Sequence, residues 1–232
     1  MPKRTVILSA SAAVLLAFFF LSQRGDSGVR QNPAAADTMP VESVTDTGDT
    51  SYLIAERSKG KVDAPITVLE MSDFQCPYCR QHAIETWPEL DRLYVQTGKV
   101  RWIFINFPIP QLHPNATTAA EFAMCSAKVG KFWPVHDLLF AHQDVWAPLK
   151  DPAPFLLTLA DSAGIERSAV LPCLTNHGTR ELLQRDAEGS AQVGVRSTPT
   201  FIIEGGLLRG AAPLALFKGI LDSIYTAKTQ SH

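Results

Sequence analysis

Hydrophobic and polar positions divide the chain into three stretches of different texture. Residues 5–22 (TVILSASAAVLLAFFFLS) carry no charge, behind Lys3 and Arg4 and ahead of Arg24. A positive start followed by an apolar run is an export signal. The run is 18 residues long, beyond the ~7–15 of a signal-peptide core and within the ~17–25 that span a bilayer. Ala34-Ala35-Ala36 lies too far downstream to serve as a cleavage site. Residues 1–22 therefore read as an uncleaved membrane anchor, with a cleaved signal as the alternative. Lys3 and Arg4 hold the N-terminus in the cytoplasm and send the rest outside. Residues 23–50 contain no aromatic residue and are rich in Gly, Ala, Asp, Ser and Thr. Such a stretch cannot offset its ordering entropy by burial, so a flexible linker is assigned to 23–58 and a folded domain to 59–228.

Within the third stretch the periods change in an informative order. Residues 66–71 (ITVLEM) form a short aliphatic run after Pro65 and predict a buried strand. A helical pattern follows to about Thr97, with Ile84, Trp87, Leu90, Leu93 and Tyr94 at helical spacing and Pro88 expected to kink it. Residues 100–107 (VRWIFINF) predict a second strand, parallel to the first in a βαβ unit. Helical patterns then cover 116–129, 132–143, 154–163, 167–175 and 178–193. Residues 200–204, the Gly205-Gly206 turn signal and 207–209 predict an antiparallel hairpin, and 213–227 a closing helix. The order is strand–helix–strand, a block of helices, then strand–strand–helix. Phe132, Trp133, Phe140 and Trp146 read as core aromatics and His136 as a core-edge histidine.

Composition narrows the function classes without choosing one. The chain has 232 residues, 46% hydrophobic and 19% charged, with a formal net charge of −2. That excludes collagen-like and fully disordered chains. A near balance of charge gives no basic face for nucleic acid. Four cysteines are too few for a disulfide scaffold, so each is of individual interest.

Cys76-Pro77-Tyr78-Cys79 falls just after a predicted strand and opens a predicted helix. A helix start offers unpaired N–H groups and about half a positive charge, both of which stabilise a thiolate. The geometry is expected to expose the first sulfur and tuck the second inward. A thiol of pKa ~8.5 is about 3% ionised at pH 7, and one of pKa ~6 about 90%. A low pKa also makes the sulfur a better leaving group, although it costs some nucleophilicity. A zinc site is the weaker reading, because Cys125 and Cys173 stand alone and only His136 and His142 approach a ligand spacing. A purely structural disulfide between Cys76 and Cys79 would close a tiny loop and constrain little.

The segment VLEMSDFQCPYC at 68–79, with His113-Pro114-Asn115-Ala116 and Ser197-Thr198-Pro199-Thr200-Phe201, resembles the DsbA-like thiol–disulfide oxidoreductase family over roughly residues 60–227. The resemblance implies an α/β thioredoxin fold with an all-helical domain, at about 115–193, inserted between its βαβ and ββα halves. It implies that Cys76 is the nucleophile, Cys79 the resolving cysteine and Thr198-Pro199 a substrate-facing cis-proline loop. It matches Glu70 to a buried acid that takes the resolving thiol's proton, with a solvated strand-edge carboxylate as the alternative. Phe74, Pro77 and Tyr78 are assigned to an apolar rim for client chains, and for Phe74 ordinary packing is the alternative. No metal or organic cofactor is implied, the redox group being the Cys76–Cys79 disulfide. The partners implied are unfolded or thiol-containing exported proteins and a membrane redox partner. A Pro-Tyr dipeptide stands where the best-known members have Pro-His, which leaves the direction of electron flow open. In an exported protein, solitary Cys125 and Cys173 are more often bonded than free, and some family members carry such a bond. A structural disulfide is therefore assigned, with a second redox pair or two buried thiols as alternatives.

Overall fold

The computed structural model describes residues 51–230. The anchor assigned to 1–22 and the linker over 23–50 lie outside them. Among the described residues no helix is long and apolar enough to cross a membrane.

The first element is a helix, α1 (Ser51–Glu56), followed by a two-residue strand, β1 (Ser58–Lys59). α1 and Ser58 fall where the sequence pattern assigns linker, and Lys59 is the first residue assigned to the folded domain. Arg57, between α1 and β1, is fully buried and pairs with Asp186, while its Nε donates to the Leu53 carbonyl at 3.1 Å. A buried guanidinium is tolerable only when matched in this way. The partner is 129 residues away, so no local pattern marks the segment as folded.

Strands β2 (Ile66–Ser72) and β3 (Val100–Asn106) lie parallel, with Ile66 opposite Val100 and Ser72 opposite Asn106. Between them runs a helical stretch: α2 (Pro77–Gln81), a π-turn segment His82–Thr86, α3 (Trp87–Leu90) and a second π segment Asp91–Val95. Pro88 does not simply kink this helix. Lacking an N–H and crowding the carbonyl four residues back, it comes where the ladder widens, and the Trp87 N–H reaches the His82 carbonyl. The widened turn shifts the apolar stripe, so Trp87, Leu90 and Tyr94 are buried while Ile84 is 45% exposed.

The helices α4 (Ala116–Ala127), α5 (Phe132–Ala141), α6 (Gln143–Trp146), α7 (Ala153–Ser162), α8 (Arg167–Thr175) and α9 (Arg180–Gln192) form the predicted block. The single helix expected over 132–143 is broken at His142. Strands β4 (Thr200–Ile203) and β5 (Gly206–Arg209) make the hairpin, and α10 (Leu214–Gln230) closes the domain. Its turn is Glu204-Gly205, both at positive φ (48° and 84°), so Gly206 begins the second strand instead of sharing the turn.

The sheet order is β1-β3-β2-β4-β5. Alternate strand residues point to opposite faces. Ile66, Val68, Trp102 and Phe201 pack on Phe217 and Leu221 of α10, whereas Leu69, Met71, Ile103 and Ile105 pack with Val195 on the other face. Phe74 and Phe104 join the core of the helical block, with Phe122, Phe132, Phe140 and Trp146. This is a thioredoxin-type α/β sheet with helices inserted between its two halves.

Candidate active site

The sheet register delivers the site. β4 runs antiparallel to β2 with Thr200 opposite Met71, which brings the loop before β4 to the β2 end from which the cysteine segment leaves. The Thr198-Pro199 peptide is cis. Cys76 caps α2 in an extended conformation (φ −70°, ψ 125°), with Pro77 in the first turn, where a missing N–H costs nothing. The Cys76 N–H donates to the Asp73 carbonyl at 3.0 Å, and the Arg80 N–H to the Cys76 carbonyl at 3.1 Å.

The expected contrast between an exposed first sulfur and a tucked second one is smaller than the helix geometry implies. Cys76 is 4% and Cys79 0% exposed, because the cis-proline loop and the helical block cover the helix start. Both are free thiols. The Cys76 thiol donates to the Thr198 carbonyl at 3.5 Å. As a thiolate it accepts from the Cys79 thiol, the Thr198 hydroxyl and the N–H groups of Cys79 and Tyr78. The hydrogen bond from Cys79 is the largest of these effects. Together they outweigh burial and pull its pKa from an ordinary 9.0 down to about 6. Burial pushes the Cys79 pKa well up, and the neighbouring Cys76 adds to the rise. Two sulfurs three residues apart are therefore set to opposite protonation at neutral pH, one poised to attack or leave and one holding its proton.

Several side chains that sequence reasoning did not single out hold this arrangement. Asp73 is buried. Its N–H donates to Cys79 Sγ at 3.4 Å, and its carboxylate accepts from the N–H groups of Gln75 (2.8 Å) and Ile109 (2.9 Å) and meets His113 Nδ1 at 2.8 Å. Gln75 accepts from the Asn115 N–H at 2.6 Å and donates to the Ala147 carbonyl at 2.9 Å. Gln143, buried on α6, donates to the carbonyls of Phe74 (2.7 Å) and Cys76 (3.0 Å). Asp73 and Gln75 flank the Cys-x-x-Cys in sequence and could have been found there; Gln143 has no such signal.

Glu70 is 2% exposed, not a solvated strand-edge carboxylate, and its Oε2 accepts from the Trp102 indole N–H at 2.9 Å. Cys79 takes its own contacts from Asp73, Ser72 and Cys76. Tyr78 is 63% exposed and Pro77 is exposed beside it. Phe74 does not belong to that surface. It is 1% exposed, stacked on Phe104 at 5.0 Å and packed on Phe140 at 5.1 Å, because its side chain turns into the helical block while its backbone carries the cysteine loop. Cys125 on α4 and Cys173 on α8 are joined as a disulfide, with Cα atoms 5.7 Å apart. That bond ties two helices of the inserted block. Among the described residues no cluster of metal-ligating side chains is found.

A family profile described as Thioredoxin matches residues 53–223. A Salinispora tropica protein named Na(+)/H(+) antiporter NhaA 3 is 34% identical over 171 residues, covering 73% of this chain and 25% of that protein. The chain thus spans about a quarter of the length of such antiporter-named relatives. A Bacillus cereus protein named "Probable disulfide bond formation protein D" is 27% identical over 154 residues, 66% of this chain and 71% of that protein. Among solved structures, oxidised BdbD from Bacillus subtilis superposes with a TM-score of 0.67 at 22% identity, covering 75% of this chain and 95% of that one. Wolbachia pipientis alpha-DsbA1 gives 0.68 at 21% identity, covering 75% and 93%.

Proposed function

The chain belongs to the thioredoxin family, in its DsbA-like branch, and on that premise we propose that it is a thiol–disulfide oxidoreductase acting on exported proteins through Cys76. The observation that carries this is the placement of the two sulfurs: Cys76 caps α2 with its Sγ 3.5 Å from the Thr198 carbonyl ahead of cis Pro199, and Cys79 lies buried one turn on. That arrangement lowers the Cys76 pKa to about 6 and raises that of Cys79. In the oxidised enzyme a client thiolate attacks Cys76 Sγ, the Cys76–Cys79 bond breaks, and Cys79 leaves and is protonated. A second client thiolate attacks the client sulfur of the mixed disulfide, not Cys76. The client disulfide forms and Cys76 departs as a stabilised thiolate, two electrons having passed to the enzyme. Run backwards, Cys76 thiolate attacks a client disulfide and Cys79, deprotonated, resolves the mixed disulfide. Glu70 is the buried acceptor for that proton.

The redox group is the cysteine pair itself, so the chemistry asks for no metal or organic cofactor. Clients approach over exposed Pro77 and Tyr78 and pair with the backbone at Thr198 and Pro199. A membrane redox partner recycles the enzyme, and the apolar N-terminal run tethers it to the outer face of the membrane. The Cys125–Cys173 bond is structural.

The test is turnover of reduced client protein and of insulin disulfides. Cys76→Ser should abolish both, whereas Cys125→Ser should keep them. Undiminished turnover by Cys76→Ser would overturn the assignment. A measured potential near −120 mV marks an oxidant and one near −270 mV a reductant.

A further inference from the structure

His82 lies three residues beyond Cys79 on the same helical run, and on the face that looks at the sheet. It is fully buried, and neither ring nitrogen has a hydrogen-bond partner in the protein. Its ring packs on Phe201 (4.6 Å), Phe217 (5.5 Å) and Trp102 (5.9 Å). A polar ring placed in an aromatic cluster with both nitrogens unmatched is costly. The one charged neighbour within reach is Glu70, whose Oε2 is 3.9 Å from His82 Nε2 and whose Oε1 is also unpartnered. Glu70 and Ser72, two residues apart on β2, share one strand face. Cys79 and His82 share the opposing helix face. Ser72 therefore stands against Cys79 and Glu70 against His82.

We propose that His82 and Glu70 form one proton-holding unit behind the resolving cysteine, with His82 the positioning residue that makes Glu70 an effective acceptor. The proposal rests on the reading above, in which Cys79 gives up a proton to Glu70 as it resolves the mixed disulfide. In that step the Cys79 proton passes to the pair. The thiolate forms the new S–S bond to Cys76, and the client sulfur leaves with the electron pair of the broken bond. Glu70 keeps one buried oxygen, Oε1, without a partner, and its Oε2 lies 3.9 Å from His82 Nε2. With an imidazole beside it, the added proton can sit on either partner at zero net charge.

The surroundings suit that division. Burial is the main cause holding the His82 pKa down. Glu70 opposes it, and His136 on α5 works in the same direction as burial, so the imidazole starts neutral. From β3, β4 and α10 the groups packed on His82 are the uncharged rings of Trp102, Phe201 and Phe217. Among these groups Glu70 and His136 are the ones that set its charge.

The experiment uses the full chain carrying glutathione as a mixed disulfide on Cys76 and follows glutathione release from pH 5 to 9. Thermal melting and ultraviolet titration of the Cys76 thiolate are run in parallel. His82→Phe keeps an aromatic ring among Phe201 and Phe217. It should slow release about tenfold at pH 7 and move the pH of half-maximal rate up by about one unit, with the Cys76 midpoint still near 6. Glu70→Gln should do at least as much, and the double variant no more than Glu70→Gln. Slowing by Glu70→Gln with an unmoved pH profile in His82→Phe would overturn the role of His82 and leave Glu70 as acceptor. No slowing in Glu70→Gln overturns the acceptor reading itself, and this proposal with it. Should His82→Phe fail to fold, His82→Gln is judged by the same pH shift.

Discussion

Replacing Thr198 by valine removes one hydroxyl from the thiolate's surroundings and nearly preserves shape. Thr198 is 8% exposed, so its hydrogen bond acts in a largely dry site. A hydrogen bond to a charged group contributes about 1.5–3 kcal/mol, and about 1.4 kcal/mol corresponds to one pKa unit. The low end moves the Cys76 midpoint from about 6 to about 7, and the thiolate fraction at pH 7 from about 90% to about 50%. The effect on the redox equilibrium is smaller than the full shift suggests. At pH 7, lowering the midpoint from 9.0 to about 6 favours the reduced form about elevenfold, or ~30 mV for two electrons. With the midpoint at about 7 that factor falls to about two, so Thr198→Val should be ~20 mV less oxidising at pH 7. The sign of the pH dependence follows. A depressed cysteine pKa stabilises the reduced fold fully above the unfolded value, and that stabilisation is lost as pH falls through about 6. Reduced wild-type protein should thus gain stability over oxidised protein between about pH 6 and pH 9, the interval between the folded and unfolded values. Ultraviolet titration of the thiolate and glutathione equilibration measure the two quantities. A Thr198→Val midpoint at or below wild type, with melting unchanged, would refute the assignment of the hydroxyl.

Two further substitutions probe the frame around the sulfurs. Cys125→Ser opens a disulfide whose ends are 48 residues apart. By chain-entropy arithmetic that costs about 4 kcal/mol, seen as a melting temperature lower by roughly 10 °C with thiol exchange retained; loss of exchange in a folded variant would mark the bond as redox-active. Gln143→Leu leaves the carbonyls of Phe74 and Cys76 without their donor. About 3 kcal/mol should be lost in urea unfolding at constant slope, with no rescue by Gln143→Asn, and a loss under about 1 kcal/mol would rule out the clamp.

The strands, the helical block and the cysteine pair were legible because each leaves a local trace. Residues 66–71 alternate nothing because both faces are buried, and 100–107 read the same way. Helix 167–175 is found where its period puts it. What was missed depends on distance. Arg57 reads as the end of a polar linker until Asp186 is placed beside it. Phe74, next to the reactive segment, reads as client surface, and only the packing of α5 against it shows a core residue. Gln143 closes an aromatic helix in sequence and gives no hint that its amide holds the cysteine loop. His82 carried a usable signal, three residues past Cys79 on a helix, but a lone histidine means nothing until the strand opposite is known to present Glu70.

These misses share a cause that bears on how the site works. The environment of Cys76 is assembled from three parts of the chain: the helix start after β2, Thr198 ahead of β4, and Gln143 from the inserted block. A Cys-Pro-Tyr-Cys helix start alone supplies N–H groups and a dipole, and at about 0.3–1 kcal/mol for a charge near a helix end that falls well short of bringing the Cys76 pKa down to about 6. The remainder comes from the second sulfur and from a hydroxyl brought from 122 residues away. The inserted helices are therefore part of the machinery. Their core takes in Phe74, Cys76 and Cys79, so a change in how that block packs reaches the sulfurs through the loop it holds.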